Sequence, residues 1–578
     1  MLLVMSIVFL SIAVLLTLLM RKNRNSFYIL FGGVFVSVFL ILLPIYSQKV
    51  GSGELSQIKS VLVAVQNTFR LFILDAEFEK VIEYAVTLKG IEYVVYTAFA
   101  ALLHLIAPIL TFGFILSFFK TIFAYLNYGI HFFAETYIFT QLNKNSLELA
   151  KSLKKNCKRR MIVFADISEQ VEEEQAELLE EARKIGAVCL KKNISLYNFS
   201  FHYIKSRIVF LALNEDENES IEQALSVMEK YGNRKNTELY VFASSVESEL
   251  IFSSMKESHI KVRRVKEEQV FVNHLLYEEG IKIFESAVAY DENTKLISAI
   301  VIGLGEYGSQ IAKALPWFCQ MDGYRTEIHL FDSDEMAADR YACSCPELLD
   351  EKHNGDFETD GEAHYQITIH RGIDIDSCEF REILDRISKV SYVFVALGED
   401  KKNIRIASEL RTYFEKRSLR PIIDAVVFDP NKVNALQGLR NYSGQDYQIH
   451  FVADREEVFS EKTIMYSELE AVALERHLKW GTEDEFWRFE YNYRSSVASA
   501  IHRKMKILCG IPGIEKKKEE RTEEEVWSLR KLEHSRWNAY MRTQGFTWAE
   551  KRNNLAKTHH CLVPFDKLSL KDQEKDDD

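Results

Sequence analysis

Three glycines with an acid downstream carry the clearest chemistry in this chain. Gly303, Gly305 and Gly308 follow the apolar run Ile297–Ile302 and open an amphipathic stretch with Ile311, Ala314 and Leu315 on one face. A second run, Glu327–Phe331, ends at Asp332, 24 positions after Gly308. In such a unit the first glycine makes a tight turn and the second lets the backbone approach a pyrophosphate. The third lets helix and strand pack closely, and the acid accepts hydrogen bonds from a ribose. The spacing predicts a site for NAD or another adenine nucleotide, lined by Gly303, Gly305, Gly308, Asp332 and Asp334. The alternative is a tight turn with a purely structural role.

Other reactive residues form no catalytic set. After residue 450 no acid, base or nucleophile is arranged as a nicotinamide enzyme would need it, so no catalytic residues are expected. Cys343 and Cys345 form a C-x-C that could bind metal with Cys378 or His353. No second close pair completes a tetrahedral set, and free thiols in a loop are expected instead of a metal. The eight cysteines, scattered over positions 157–561, fit reduced thiols in a cytosolic body. A net charge of −12 leaves no basic footprint for nucleic acid.

The elements that position the glycines recur earlier in the chain. Thr136–Leu142 reads as a strand, residues 143–155 open a helix, and 160–166 form a second strand ending on Asp166. Residues 207–218 (RIVFLALNEDEN) match 391–403 (SYVFVALGEDKKN), and 237–244 and 420–428 are each a candidate fifth strand. The spacing differs by 22 positions, which an insertion near Ala337–Glu362 accounts for. Two alternating β–α arrays predict two tandem Rossmann-like, doubly wound parallel sheets, at 135–285 and 293–455. The first copy carries Asn143 and Asn145 in place of glycines and reads as structural or as a pairing partner.

Three apolar stretches precede this body: residues 1–20, 28–47 and 93–119. Each is long enough to span a bilayer, and Arg21, Lys22 and Arg24 place the first connecting loop in the cytoplasm. The expected topology is a multi-pass inner-membrane protein with an outside N-terminus and a cytoplasmic body. In domain terms, 1–47 holds two transmembrane helices, 48–90 an extracytoplasmic helical segment, and 91–134 a third transmembrane helix with an amphipathic linker. His104 and Pro108 either line a cavity or serve a helix contact and a kink. No run of filter carbonyls of the T-V-G-Y-G kind occurs, so a potassium-selective pore loop is not visible.

A membrane segment followed by a glycine-turn unit with an acid-ended second strand resembles the RCK (Trk-type, TrkA-N-like) regulatory domains of potassium channels and transporters. Residues 208–218 (IVFLALNEDEN) are similar to the fourth-strand region of that family, and 260–276 (IKVRRVKEEQVFVNHLL) to the segment after its fifth or sixth strand. The resemblance covers about residues 135–450 and implies ligand-gated control of a membrane module, with Gly303, Gly305, Gly308 and Asp332 at the binding-motif positions.

Beyond a helical connector at 466–515, residues 516–578 (490 is the alternative start) resemble the ryanodine receptor (RyR) repeat domain. Glu533, His534, Trp537, Gly545, His559, Leu562, Pro564, Phe565 and Leu568 match its pattern. The resemblance implies a small helical domain of bacterial proteins that sense nucleotide-derived signals. Arg536, Trp537, Trp548, Lys557 and His559 are the candidate ligand contacts, combining aromatic faces with donors. Against this, Trp537, Phe546 and Trp548 also suit a small core, and the His559–His560 pair suits capping better than ligation.

The expected function is a ligand-gated membrane protein, channel-like or an effector, that senses a small nucleotide, in ion transport or anti-phage and stress signalling. The alternatives are a membrane-anchored NAD-dependent oxidoreductase and a non-gating membrane scaffold. Its expected partners are the lipid bilayer, a small nucleotide and further copies of itself, as a dimer or tetramer, with no nucleic acid. Three helices cannot enclose a pore alone.

Overall fold

A computed structural model describes residues 1–19, 25–49, 56–75, 78–131, 133–165, 173–193, 200–253, 259–350, 354, 365–440, 443–465 and 468–577. Asp166 and His353 lie outside the described residues. The chain divides into two compact units, residues 1–143 with 159–209 and residues 144–158 with 210–578.

The first unit opens with five helices: α1 (Leu2–Leu19), α2 (Asn25–Lys49), α3 (Ser56–Phe72), α4 (Glu79–Ala85) and α5 (Ile91–Ile130). Among the described residues, two segments are long and apolar enough to cross a membrane, Ile29–Gln48 and Ile91–Phe112, while the apolar stretch Leu2–Leu16 of α1 is shorter. Small residues bring α1 against α2: a Cβ on Gly33 would overlap the methyl of Ala13. The Ser6 hydroxyl donates to the Ser37 carbonyl (2.8 Å) and the Ser37 hydroxyl to that of Ser6 (3.2 Å). Close approach plus satisfied hydroxyls is how helices associate where the solvent is itself apolar.

Helix α3 folds back along α2. Phe72, its last residue, packs on Phe31 (4.9 Å between ring centroids) and Phe69 on Phe35 (5.0 Å), both rings in the first half of α2. Ala64, Leu71, Val81 and Ala85 share one buried cluster with Val38 and Ile45 of α2 and Ala100 and Leu103 of α5. In the last turn of α3, Arg70 pairs with Asp75 just beyond the helix at 3.0 Å, and Phe78 meets the ring of His104 at 4.8 Å. His104 shares its Nδ1 with the Ala100 carbonyl one turn back, at 2.8 Å.

Helix α5 is continuous for 40 residues, about 60 Å at the α-helical rise. It passes unbroken through 120–130, the stretch expected as a linker, and its end is held by Lys205. The Lys205 ammonium donates to the carbonyls of Tyr128 (2.5 Å) and His131 (2.6 Å) and lies 4.5 Å from the centre of the Tyr128 ring. A cation on the orphan carbonyls of a helix C-terminus satisfies them and opposes the helix dipole. Burial lowers Lys205 to about 8.

Strands then build two sheets. The first contains β1 (Thr136–Phe139), β2 (Met161–Phe164), β3 (Val188–Cys189), β4 (Ile208–Ala212), β5 (Thr237–Phe242) and β6 (Ile260–Val265), in the order β3-β2-β1-β4-β5-β6. The division between the units falls within β4. β1 runs parallel to β2, β2 to β3, and β5 to β6. The second sheet holds β7 (Val288–Ala289), β8 (Lys295–Ile302), β9 (Tyr324–Asp332), β10 (Tyr365–Arg371), β11 (Tyr392–Val395), β12 (Ile422–Val426) and β13 (Ile449–Val452). Its order is β10-β9-β8-β11-β12-β13, all parallel, with the short β7 antiparallel on the start of β8. Both orders are the 3-2-1-4-5-6 arrangement of Rossmann-like sheets. The expected pair of parallel α/β sheets is thus present, with β7 as an addition.

Helices follow the strands: α6 (Lys144–Asn156), α7 (Glu173–Lys184), α8 (Glu217–Tyr231), α9 (Val246–Ser253), α10 (Glu267–Glu279), α11 (Ile281–Glu285) and α12 (Glu306–Phe318). The C-terminal helices Glu490–Leu508 and Glu523–Thr543 belong to the same compact unit as the second sheet. Tyr540 meets Trp317 of α12 at 6.2 Å, and His502 Nε2 bonds the Gln320 carbonyl at 2.5 Å.

The α5 anchor makes a specific demand. Replacing Lys205 by Met should raise hydrogen exchange of the last-turn amides, residues 128–131, by about tenfold, the mark of ~1.4 kcal/mol lost locally. Unchanged exchange there would show that Lys205 does not hold the helix end.

Candidate functional site

The glycine turn sits between β8 and α12, where the strand order reverses. β8 has β9 on one side and β11 on the other, which makes the turn the switch point at which open parallel sheets bind ligands. Each glycine has its own reason. Gly303 has φ +91° and lies so close to β11 that a Cβ would collide with the Ala396 carbonyl. A Cβ on Gly308 would collide with the carbonyl of Gly303, so helix and turn are in backbone contact there. Gly305 is different: it lies exposed at the start of α12, and a Cβ would find no atom within 4 Å. That open space, ahead of the first N–H groups of a 13-residue helix, is where an anion fits.

Asp332, at the end of β9, closes the turn. One carboxylate oxygen accepts from Leu304 N–H (2.6 Å) and the other from Asp334 N–H (2.8 Å). Each oxygen keeps a second lone pair, so a ribose hydroxyl could add to this arrangement without displacing it. Asp334 is occupied as a helix cap, accepting from Met336 N–H (2.9 Å) and pairing with Arg340 (3.3 Å).

The other side of the turn is committed to packing. Tyr307 lies between Phe271 (5.4 Å) and Phe428 (5.3 Å), and its hydroxyl donates to Glu267 at 2.7 Å. Phe271 and Glu267 belong to α10, so this contact pairs the two copies of the repeat through α10 and α12. Burial raises the Glu267 carboxyl, as does the charge of Glu268, while the Tyr307 bond lowers it.

In the first copy, α6 is engaged by later residues of the chain. Asn145, near the start of α6, accepts from Arg455 Nε at 2.9 Å. Farther along that helix Ser152 accepts from Glu461 N–H (3.0 Å), and Asn156 donates to the Glu461 carboxylate (2.8 Å). The short helices Arg455–Val458 and Glu461–Ile464 therefore cover α6.

At the C-terminus the candidate contacts separate into two groups. Trp537, His559 and Trp548 come together: His559 lies 5.0 Å from Trp537 and pairs with Trp548 in the two-strand register of Thr547–Trp548 on Thr558–His559. Trp548 is exposed, whereas His559 is buried and its Nδ1 accepts from Cys561 N–H at 3.1 Å. Lys557 donates to the Gln544 carbonyl (2.9 Å) and so caps the preceding helix. Arg536 is withdrawn from this face. It is only 2% exposed and its Nε donates to Glu533 at 3.0 Å. Phe546 is buried, which leaves the aromatic trio half core and half surface.

Glu533 itself was not anticipated as an organising residue. It also accepts from Lys506 (3.0 Å) and Ser499 (3.0 Å). Burial works to raise its carboxyl, but the charges of Arg536 and Lys506 prevail and hold it well below the usual range. The bland appearance of a glutamate within a helix hid this role, since only the fold brings Lys506 to it.

The metal reading of the C-x-C pair finds no support among the described residues. Cys345 is buried and directs its thiol to the Tyr341 carbonyl at 3.4 Å, while Cys343 and Cys378 are exposed. His559, His560 and Cys561 do bring ligand atoms within 4.8 Å of one another. His559 Nδ1 is already used by the backbone, and burial raises the Cys561 thiol to about 11, away from the thiolate a metal needs.

No family model matches the sequence, and no curated protein matches it. Among solved structures, a crystal structure of a GsuK mutant is similar over 76% of this chain and 99% of its own, with 12% identity and a TM-score of 0.33. The fold assignment rests on the strand orders given above.

Several imidazoles are lowered, His370 to about 4 among them, and the buried His502 and His559 contribute to the acid response. Burial lowers His502 to about 4, and burial with the Arg552 charge lowers His559 to about 4. Unfolding returns each toward about 6.5. Between those values the unfolded chain binds more protons, so this contribution to stability is full above about pH 6.5 and is lost as the pH falls toward 4. Thermal unfolding across that window should therefore show a falling midpoint, and His559→Gln should flatten the fall. An identical slope in wild type and variant would contradict the assignment.

Proposed function

We propose that this protein is a ligand-gated, channel-like membrane protein that senses a nucleotide at the glycine turn of its second sheet. The observation that carries the reading is the junction at Lys205. A helix that starts in an apolar span, Ile91–Phe112, continues to Ile130 and is locked by Lys205 beside the entry to β4. A bilayer-crossing segment tied in this way moves with the sheet, as a sensor coupled to a membrane gate requires. The reading involves no chemical step, because gating needs only a ligand with different affinity for two states.

The folded-back helix α3 favours a channel-like role over a scaffold. In this reading its tip, expected from composition to lie outside the bilayer, reaches the depth of Phe31 and Phe35 in α2. The tip carries Arg70 and Asp75 into the same layer. Ionised groups at membrane depth face water or a bundle interior, not lipid. The N-terminus lies outside, α1, α2 and α5 all span the inner membrane, and copies associate as a dimer or tetramer to enclose the pathway. The first sheet is a structural and pairing partner, and the resemblance to RCK domains accords with both roles. The RyR-like segment contributes Trp537, Trp548 and His559 as an accessory face for a nucleotide-derived ligand.

Purified protein should be thermally stabilised by at least one of NAD, ADP-ribose, ATP or a cyclic dinucleotide. Gly305→Trp, which fills the open space at the turn, should abolish that part of the shift contributed by the turn. Asp332→Ala should weaken it, through loss of the Leu304 hydrogen bond. Full stabilisation of both variants would remove the turn from the mechanism.

A further inference from the structure

The second unit contains a cavity of about 850 Å³, separate from the glycine turn. One wall is β6, the edge strand of the first sheet, and the other is formed by helices Glu483–Arg488 and Glu490–Leu508. Its volume falls within the range of small-molecule sites.

The charged groups that line the cavity are unequal in their partners. Arg264 is fully engaged: it donates to Glu490 (2.9 and 2.6 Å), to Glu249 (3.0 Å) and to the carbonyls of Ala243 and Ser245. Arg494 pairs with Glu490 and, at 3.8 Å, with Glu249. Lys266 is left over. Its nearest carboxylate is that of Glu249 at 3.9 Å, beyond hydrogen-bond reach, although its side chain is only 15% exposed. In this cluster three cations, Arg264, Arg494 and Lys266, share two carboxylates, Glu249 and Glu490. Glu217 accepts from the N–H groups of Ser244 and Ser245, and Glu268 accepts from the Ser244 hydroxyl and attracts Lys266 without a hydrogen bond to it. Burial lowers Lys266 to about 7, and the charges of Arg494 and Arg264 add to the effect.

The cavity also has an aromatic side. Trp487 lines it, with the Arg263 guanidinium stacked 3.6 Å from the ring centre. Arg263 is held there by the Tyr240 hydroxyl (3.0 Å) and the Glu470 carboxylate (3.1 Å). An ammonium short of an acceptor and a braced aromatic platform lining one cavity suit an anion that carries a flat ring.

We infer that this cavity is a second ligand site, for a nucleotide whose phosphate is bound by Lys266 beside Arg494 and whose base lies against Trp487. The site is independent of the glycine turn, so the chain holds two nucleotide sites of different construction. The phosphate supplies the acceptor that Lys266 lacks, and binding favours the charged ammonium.

The test uses the full-length protein in detergent, with ATP and inorganic pyrophosphate as probes in equilibrium dialysis. In the Gly305→Trp background, where the turn is filled, ATP should still bind. Lys266→Met should weaken that binding about tenfold or more, the scale of one hydrogen bond to a charged group, and Lys266→Arg should largely preserve it. Trp487→Ala should weaken ATP but leave pyrophosphate unchanged. ATP binding that disappears with Gly305→Trp alone, or that is indifferent to Lys266→Met, would overturn the proposal while leaving the glycine-turn reading intact. Equal loss of ATP and pyrophosphate in Trp487→Ala, or no loss of either, would overturn the placement of the base. ATP binding lost in Lys266→Met but untouched by Gly305→Trp would support this site and count against the turn.

Discussion

The backbone contact between Gly308 and the Gly303 carbonyl is the constraint on which the second sheet depends. It allows α12 to start directly over the end of β8, and Gly303 lets β11 close on the other side at Ala396. With both positions sterically closed, the one open point of the turn is Gly305, which faces outward at the helix start. Asp332 fastens the loop from the next strand by taking the Leu304 N–H. The turn is held by its own backbone contacts, and in the proposed reading a ligand there would meet donors that these contacts fix. Preorganisation of this kind lowers the ordering cost of binding.

Around this point the protein uses its polar groups to join elements distant in sequence. Tyr307 and Glu267 bring α12 and α10 together, so the two repeats are paired through a side chain adjacent to the turn. Glu533 gathers Lys506 and Arg536 beneath the C-terminal segment. Lys205 does the same at the end of α5. Buried charges of this sort are costly to separate, since removing one partner strands the other in a poorly solvating interior. That cost makes each junction a rigid connection and not a flexible tether.

Local features of the sequence foretold much of this architecture. Apolar runs ended by short polar turns identified β1, β2, β4, β5, β8, β9, β11 and β12, because their signal is hydrophobic burial on both faces of a parallel strand. β3 was missed: with two residues, Val188 and Cys189, it has no period to detect. β10 was missed because Tyr365–Arg371 alternates polar residues with isoleucines at the sheet edge. The three glycines were legible because their steric demands are local. The Leu304 bond of Asp332 was not, since an acid at a strand end looks the same whether it faces a ribose or its own backbone. Arg536 and Trp537 are neighbours in sequence, yet on a helix they diverge, one into Glu533 and the other toward His559. Lys205 and Lys266 gave no sign in sequence, because their importance lies in what the fold leaves around them.

The central claim is that nucleotide binding controls a pathway through the membrane. It is tested most directly by measuring ion flux from liposomes that hold the purified protein, with NAD, ADP-ribose, ATP or a cyclic dinucleotide added on the side of the soluble body. The account predicts flux that depends on a stabilising nucleotide and is diminished in Gly305→Trp. Nucleotide turnover with no flux under any of these ligands would contradict it.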